Sequence, residues 1–169
     1  YPLWTAAIKM QEELGASNAW AFDVQLRCGT TIMAMKVAKS LMLADDTIHT
    51  VLLAGGYRNC DFIDYQNEKT RFMFNLAAGG GAIILQKNCN ENSVLEADIL
   101  TDGSFSEDVV VPVGGTKNPL TPELLAQGAY RLDVLDPKGM KVRLEEKSLN
   151  NFIKVIRSSL AKSGYSEQD

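Results

Sequence analysis

Residues 29–44, GTTIMAMKVAKSLMLA, place the strongest constraint on the fold. Ile32, Met33, Met35, Val37, Ala38, Leu41 and Met42 put apolar side chains nearly all the way round a helix, and such a helix must be covered on most sides. The flanking segments suit that purpose. AWAFDV at 19–24 is short, apolar and rich in β-formers, and HTVLLAG at 49–55 is a near-continuous apolar run closed by Gly55-Gly56. Strand, buried helix, strand predicts a parallel pair over 19–55 joined by a right-handed crossover. A layered α/β fold is the expectation, with helices packed on a mixed sheet.

The remaining chain continues the alternation. LWTAAIKMQEELGA has Trp4, Ala7, Ile8 and Leu14 at helical spacing and stops at Gly15. A polar loop, 57–71, leads into FMFNLAAGGGAIILQK, where small residues precede a buried strand. SVLEADILTD and EDVVVPVGG are further strand candidates. Over 144–163, Leu149, Phe152, Ile153, Ile156 and Leu160 share one face of an amphipathic helix that ends at Gly164. The loop 112–122 holds three of the five prolines and is the best candidate boundary between parts of the chain.

Composition narrows the function classes. The chain has 169 residues, 46 % hydrophobic and 22 % charged, which is enough to build a core and argues against disorder. A formal net charge of −4 opposes a nucleic-acid footprint, which needs clustered Lys and Arg to displace counterions from phosphates. No apolar run approaches the roughly 20 residues needed to span a bilayer, and YPLWTAAIKM lacks the basic-then-apolar order of a signal peptide. A cytoplasmic protein with reduced thiols is expected. Cys28, Cys60 and Cys89 are odd in number and widely spaced, fitting neither a disulfide framework nor a zinc site, and no metal is expected.

Cys28 falls where the first strand should end and the buried helix begin. A helix N-terminus carries partial positive charge and unpaired N–H groups, which favour thiolate over thiol. A small buried hydrophobe is the competing reading of the same residue, and spacing alone leaves both open. His49 reads as a solvated loop imidazole just before a strand. AAGGGA resembles a phosphate-cradling loop in composition, but that device needs a helix after the glycines and here AIILQ follows, so packing is the better account. Asp45-Asp46 and Glu145-Glu146 have no His or Cys companion at ligand spacing and read as solvated faces.

The order LGASNAWAFDVQLRCGTTIMAMKVAKSLM, then VLLAGG, then a loop into FNLAAGGGAIIL, is similar to the β-ketoacyl-acyl-carrier-protein synthase III family of the thiolase superfamily. The likeness includes Asp23-Val24 five and four residues ahead of Cys28, Gly81-Ala82 before a strand, LEADILTDGS, and the helix KSLNNFIKVIRSSLAKSG. It implies a thiolase-like layered α/β fold and a condensing enzyme of fatty acid biosynthesis. Cys28 would accept an acyl group from acyl-CoA and deliver it to malonyl-acyl-carrier protein with loss of carbon dioxide. No resident cofactor is implied, acyl-CoA being a substrate. Acyl-carrier protein and a second copy of the chain are the implied partners, with no nucleic acid and no membrane.

Departures from the family pattern are equally specific. Gly29, Thr30 and Thr31 follow the cysteine where the family has a small residue, then Gly and Phe. Ala77 and Ala78 stand where Gly and Asp are expected. Lys69 and Arg71 both lie near the position of a basic CoA contact, and the register between them is open. The His and Asn that assist decarboxylation lie in the second half of the family's longer chain, and His49 does not match that histidine. The resemblance thus implies an internal fragment, with 1–111 the nucleophile-bearing half and 112–169 the start of the second. Another acyl-CoA condensing enzyme of the superfamily, or a non-catalytic binding or assembly member, are the alternatives.

Overall fold

A computed structural model describes residues 4–169. The predicted first helix begins at Leu3, which lies outside the described residues. The chain divides into two compact units, one holding the chain up to Gly55 together with Gly81–Ala97, the other Gly56–Gly80 with Asp98–Asp169.

The first unit opens with helix α1, Ala6–Glu13. Gly15 at φ +64° ends it, and Ala16 N–H returns to the Gln11 carbonyl at 3.0 Å, so the left-handed turn that glycine tolerates closes the helix as expected. Its start is held from a distance: the amides of Ala6 and Ala7 donate to the Asp23 carboxylate at 3.1 and 2.9 Å. Helix α2, Thr30–Ala44, matches the predicted span. Its burial does not match. Ala38 and Met42 are buried, whereas Ile32 and Leu43 are exposed. Part of its flank is covered by the segment 93–97, to which Lys36 Nζ donates at the Ala97 carbonyl (2.7 Å) and Lys39 Nζ at Glu96 (2.6 Å), laying their methylene stems along apolar surface.

Strand β1, Thr50–Arg58, follows, and its partner is β2, Ala78–Gln86. Lys87 N–H donates to the His49 carbonyl at 2.9 Å, while Gly56 lies against Gly79, so residue numbers rise on one strand as they fall on the other and the pair is antiparallel. The expected parallel pair, 19–24 with 49–55, is not found among the described residues, and β1 pairs with β2 instead. Residues 19–24 form no strand, because a ladder needs a partner and none lies beside them among the described residues. The glycine run is strand rather than loop. A Cβ on Gly56 would stand 3.3 Å from the Gly79 carbonyl oxygen, so glycine at 56 serves close backbone approach, whereas a Cβ on Gly79 or Gly81 would meet nothing within 4 Å.

In the second unit the described core is Ile63, Thr70, Met73, Val113 and Val134. Strands β3, Val109–Val110, and β4, Asp133–Val134, pair antiparallel with Val109 opposite Val134. Of the two predicted strand segments only these two valines pair; Pro112, lacking an N–H, stops EDVVVPVGG, and 94–102 runs without a ladder. The Thr70 hydroxyl donates to the Asn67 carbonyl at 2.9 Å, which satisfies its only buried polar side-chain group. Val134 is fully enclosed. Val134→Ala should therefore cost roughly 2 kcal/mol through lost contacts and a residual cavity, read as a lower urea midpoint at unchanged slope.

Short helix α3, Pro122–Ala126, is capped by Thr121. Helix α4, Pro137–Lys162, is seven residues longer at its start than the apolar stripe predicts. Asp136 caps it by accepting from Gly139 N–H at 3.0 Å, and Pro137 occupies the first turn, where no N–H is needed. Gly164 at φ +78° ends it where predicted. Two ion pairs tie α4 to the segment 98–102: Lys162 to Asp98 and Lys147 to Asp102, both at 2.8 Å. The Lys162 hydrogen bond, helped by Ser158, draws the Asp98 carboxyl down to about 2, and Lys147 with Ser104 holds Asp102 well below the usual carboxylate range. Depressed carboxyls add stability that is complete above the unfolded value of about 3.9 and is lost as pH falls through the folded value. Thermal stability should stay level down to pH ~4.5 and fall between about 4 and 2, and Lys147→Met should shallow that fall.

Candidate active site

Cys28 is exposed in a tight 3-10 turn, Arg27–Gly29, that runs directly into α2. The turn has an unusual backbone. Leu26 sits at φ −146°, ψ 40°, and Arg27 at φ +48°, a left-handed conformation that side-chain-bearing residues seldom adopt. Gly29 N–H closes the turn onto the Leu26 carbonyl at 3.0 Å. The Thr30 hydroxyl then bonds in both directions, accepting from Leu26 N–H at 2.8 Å and donating to the Arg27 carbonyl at 2.7 Å. The result presents a free thiol at the head of a fifteen-residue helix; the Thr30 N–H is taken by the Arg27 carbonyl, and the amides that follow it in the first turn have no carbonyl four residues back within the helix. Such amides can meet negative charge on an attacking sulfur or on an oxygen beside it.

Cys60 lies in the 3-10 turn Asn59–Phe62 and Cys89 just beyond β2, and both are free thiols away from any helix start longer than a single turn. His49 is exposed in the loop before β1, as expected, and its carbonyl is engaged by Lys87 N–H. Among the described residues no group of three or more His, Cys, Asp or Glu side chains could hold a metal ion.

Lys69 and Arg71 share the 3-10 helix Glu68–Met73 of the second unit, but the structure treats them differently. Lys69 Nζ faces Asp133 at 3.6 Å. That carboxyl is pushed up by partial burial, yet the Asn67 side-chain bond, the Val134 N–H and Lys69 outweigh it and keep the group below its ordinary value. Among the described residues Arg71 pairs with Glu68 alone, at 3.8 Å, and both side chains are largely in solvent. Arg71 is thus the more available cation of the two. Ala78 begins β2 beside the glycines, so this edge carries backbone groups and no polar side chain.

A groove of about 370 Å³ lies between α2 and the segment 93–97, lined by Ile32, Met35, Leu43, Val94 and Leu95. The carboxylate in its lining, Glu96, is paired with Lys39.

Two contributions at this end of the molecule escape sequence reading. Asp23 caps α1 from some seventeen residues away, a separation with no local signal. Thr30 had a signal in principle, since a hydroxyl residue just inside a helix readily bonds the turn before it.

The family model for 3-oxoacyl-[acyl-carrier-protein] synthase III matches residues 22–103, a stretch that contains the Cys28 turn, α2, β1 and β2. The β-ketoacyl-[acyl-carrier-protein] synthase III of Aliarcobacter butzleri is 29 % identical over 153 residues, covering 90 % of this chain and 44 % of that protein. Its counterpart from Chlorobium phaeobacteroides is 32 % identical over 135 residues, covering 79 % and 39 %. Among solved structures, a 3-oxoacyl-(acyl-carrier-protein) synthase III superposes on 99 % of this chain and 51 % of its own length, with a TM-score of 0.74 at 20 % identity. The fold is therefore thiolase-like, and the chain spans about two fifths to half the length of the proteins it matches.

Proposed function

We propose that this chain, a relative of the 3-oxoacyl-acyl-carrier-protein synthase III family, carries the acyl-accepting half of a condensing enzyme of fatty acid biosynthesis, with Cys28 as the nucleophile. The observation that carries the reading is the exposed Cys28 thiol on a left-handed turn at the head of α2, inside the stretch matched to the family. In the first step the Cys28 sulfur attacks the thioester carbonyl of an acyl-CoA. A sulfur–carbon bond forms, the bond to CoA breaks, and CoA leaves as its thiol after taking up a proton. In the second, malonyl-acyl-carrier protein loses carbon dioxide, and the carbanion left behind attacks the acyl carbonyl, releasing Cys28. Splitting one difficult acyl transfer into two is the benefit of the covalent intermediate. On this reading the first-turn amides of α2 beyond Thr30 would offset charge on the tetrahedral oxygen.

Arg71, the less engaged of the two basic candidates, is the side chain we assign to the phosphates of CoA, with Lys69 held by Asp133. The thiol supplies the nucleophile, so the scheme uses no resident cofactor or metal. A cytoplasmic homodimer taking acyl-CoA and acyl-carrier protein completes the proposal. No helix among the described residues is long and apolar enough to cross a membrane.

Incubation of the natural protein with a short acyl-CoA, followed by peptide mass spectrometry, tests the assignment. One acyl adduct on the peptide containing Cys28 is expected. An adduct on Cys60 or Cys89 alone, or none, would overturn it.

A further inference from the structure

We infer that Thr30 is a positioning residue for Cys28, a clasp that holds the strained turn in the conformation that presents the thiol. The inference rests on Cys28 being the acyl-accepting thiol, but the clasp itself stands on geometry of its own. Arg27 adopts φ +48°, which costs an ordinary residue free energy and persists only where neighbouring structure enforces it. Thr30 provides that enforcement. Its single hydroxyl accepts from Leu26 N–H and donates to the Arg27 carbonyl, so the peptide group before Leu26 and the one after Arg27 are both fastened to the first residue of α2, with the unusual dihedral between them.

Gly29 completes the device. A Cβ at that position would come within 3.3 Å of Leu26 Cδ2, so glycine leaves the Leu26 side chain room beneath the turn. Leu26 and Thr30 therefore grip Arg27–Gly29 from both ends, and Cys28 sits at the middle of the gripped segment. This gives a physical account of Gly29-Thr30 after the cysteine. A residue at position 30 without a hydroxyl would leave Leu26 N–H to find another partner and the Arg27 carbonyl with only the backbone N–H of residue 30, and the turn would relax away from its left-handed form. The thiol would then lose its fixed relation to the amides opening α2.

The experiment measures two rates in the natural protein at one fixed pH: alkylation of Cys28 by iodoacetamide, followed on its peptide by mass spectrometry, and acylation by a short acyl-CoA. Thr30→Val keeps the shape and removes both hydrogen bonds; both rates should fall about tenfold. Thr30→Ser restores the hydroxyl and should return both to within about twofold of the parent. Adding Arg27→Gly to Thr30→Val should recover most of the loss, because glycine holds a positive φ without a clasp. Thr31→Ala should leave both rates unchanged. The inference is overturned if Thr30→Val reacts like the parent, if Thr30→Ser is as slow as Thr30→Val, or if Thr31→Ala is equally slow. Should Thr30→Val fail to fold, the serine variant and the Arg27→Gly double variant still decide. A parent protein that alkylates at Cys28 but takes no acyl group would remove the catalytic reading alone, since the alkylation series still reports on the clasp.

Discussion

Replacing Cys28 with alanine is expected to remove acyl-enzyme formation entirely and to lower condensation in the natural protein by roughly a thousandfold or more. The size follows from the role proposed for Cys28: on that assignment, without the sulfur there would be no site for the first thioester, and the remaining groups could only orient substrates. Cys28→Ser should fare little better, because a hydroxyl is far less ionised than a thiol and this turn holds no base beside it among the described hydrogen bonds. Cys60→Ala and Cys89→Ala provide the contrast. Both residues are free thiols outside the α2 turn, and each variant should retain the parent rate to within about twofold. Release of CoA, followed with a thiol-reactive chromophore, reads the first step, and carbon dioxide release reads the second. Retention of condensation by Cys28→Ala at even a tenth of the parent rate would assign the nucleophile elsewhere.

The 169-residue chain alone is expected to associate with itself and to bind a hydrophobic dye strongly. Its accessible surface is 12906 Å². A folded monomer of 18.5 kDa exposes roughly 8,200 Å² by the usual scaling of area with mass. The difference includes large apolar side chains in rows: Leu149, Phe152 and Ile156 along α4 are 68, 66 and 53 % exposed, and Ile84 on β2 is 70 % exposed. Contiguous apolar surface of this kind drives contact with other chains. Light scattering across a concentration series should show a mass that rises with concentration at micromolar levels. Leu149→Glu with Phe152→Glu should lower both the apparent mass and the dye signal, because two charges interrupt the stripe. A monodisperse monomer that leaves the dye dark would show that these faces are covered in solution.

The helices were the most legible part of the chain. Gly15 and Gly164 mark the ends of α1 and α4, and the run from Thr30 gives α2 its full length, because a helix closes its hydrogen bonds within four residues and its signals lie in the same stretch. The early start of α4 was written in the Asp136-Pro137 pair, but the apolar stripe drew attention to its later turns. Strands were read less well. The segments around β1 and β2 were identified, yet their antiparallel pairing was not, and 19–24 looked like a strand by composition without finding a partner. Composition can mark a segment as fit for a sheet. It cannot say which other segment lies beside it.

The candidate site divides along the same line. By itself the sequence determined that Cys28 stands at the head of an apolar helix, that His49 is a loop residue, and that the order of segments is similar to that of the synthase III family. Each of these depends on residues close together in the chain or on their order along it. Only the tertiary structure decided that Asp23 holds the start of α1, that Lys69 is engaged by Asp133 while Arg71 stands nearly free, and that β1 meets β2 glycine against glycine. Those pairs are joined by contacts across sixteen to some sixty residues, and nothing in local propensity ranks one distant partner above another. The left-handed Arg27 belongs with them in kind, though not in distance. An arginine carries no preference for positive φ, so its conformation is imposed by the bonds from Thr30 and could be seen only once the backbone was in place.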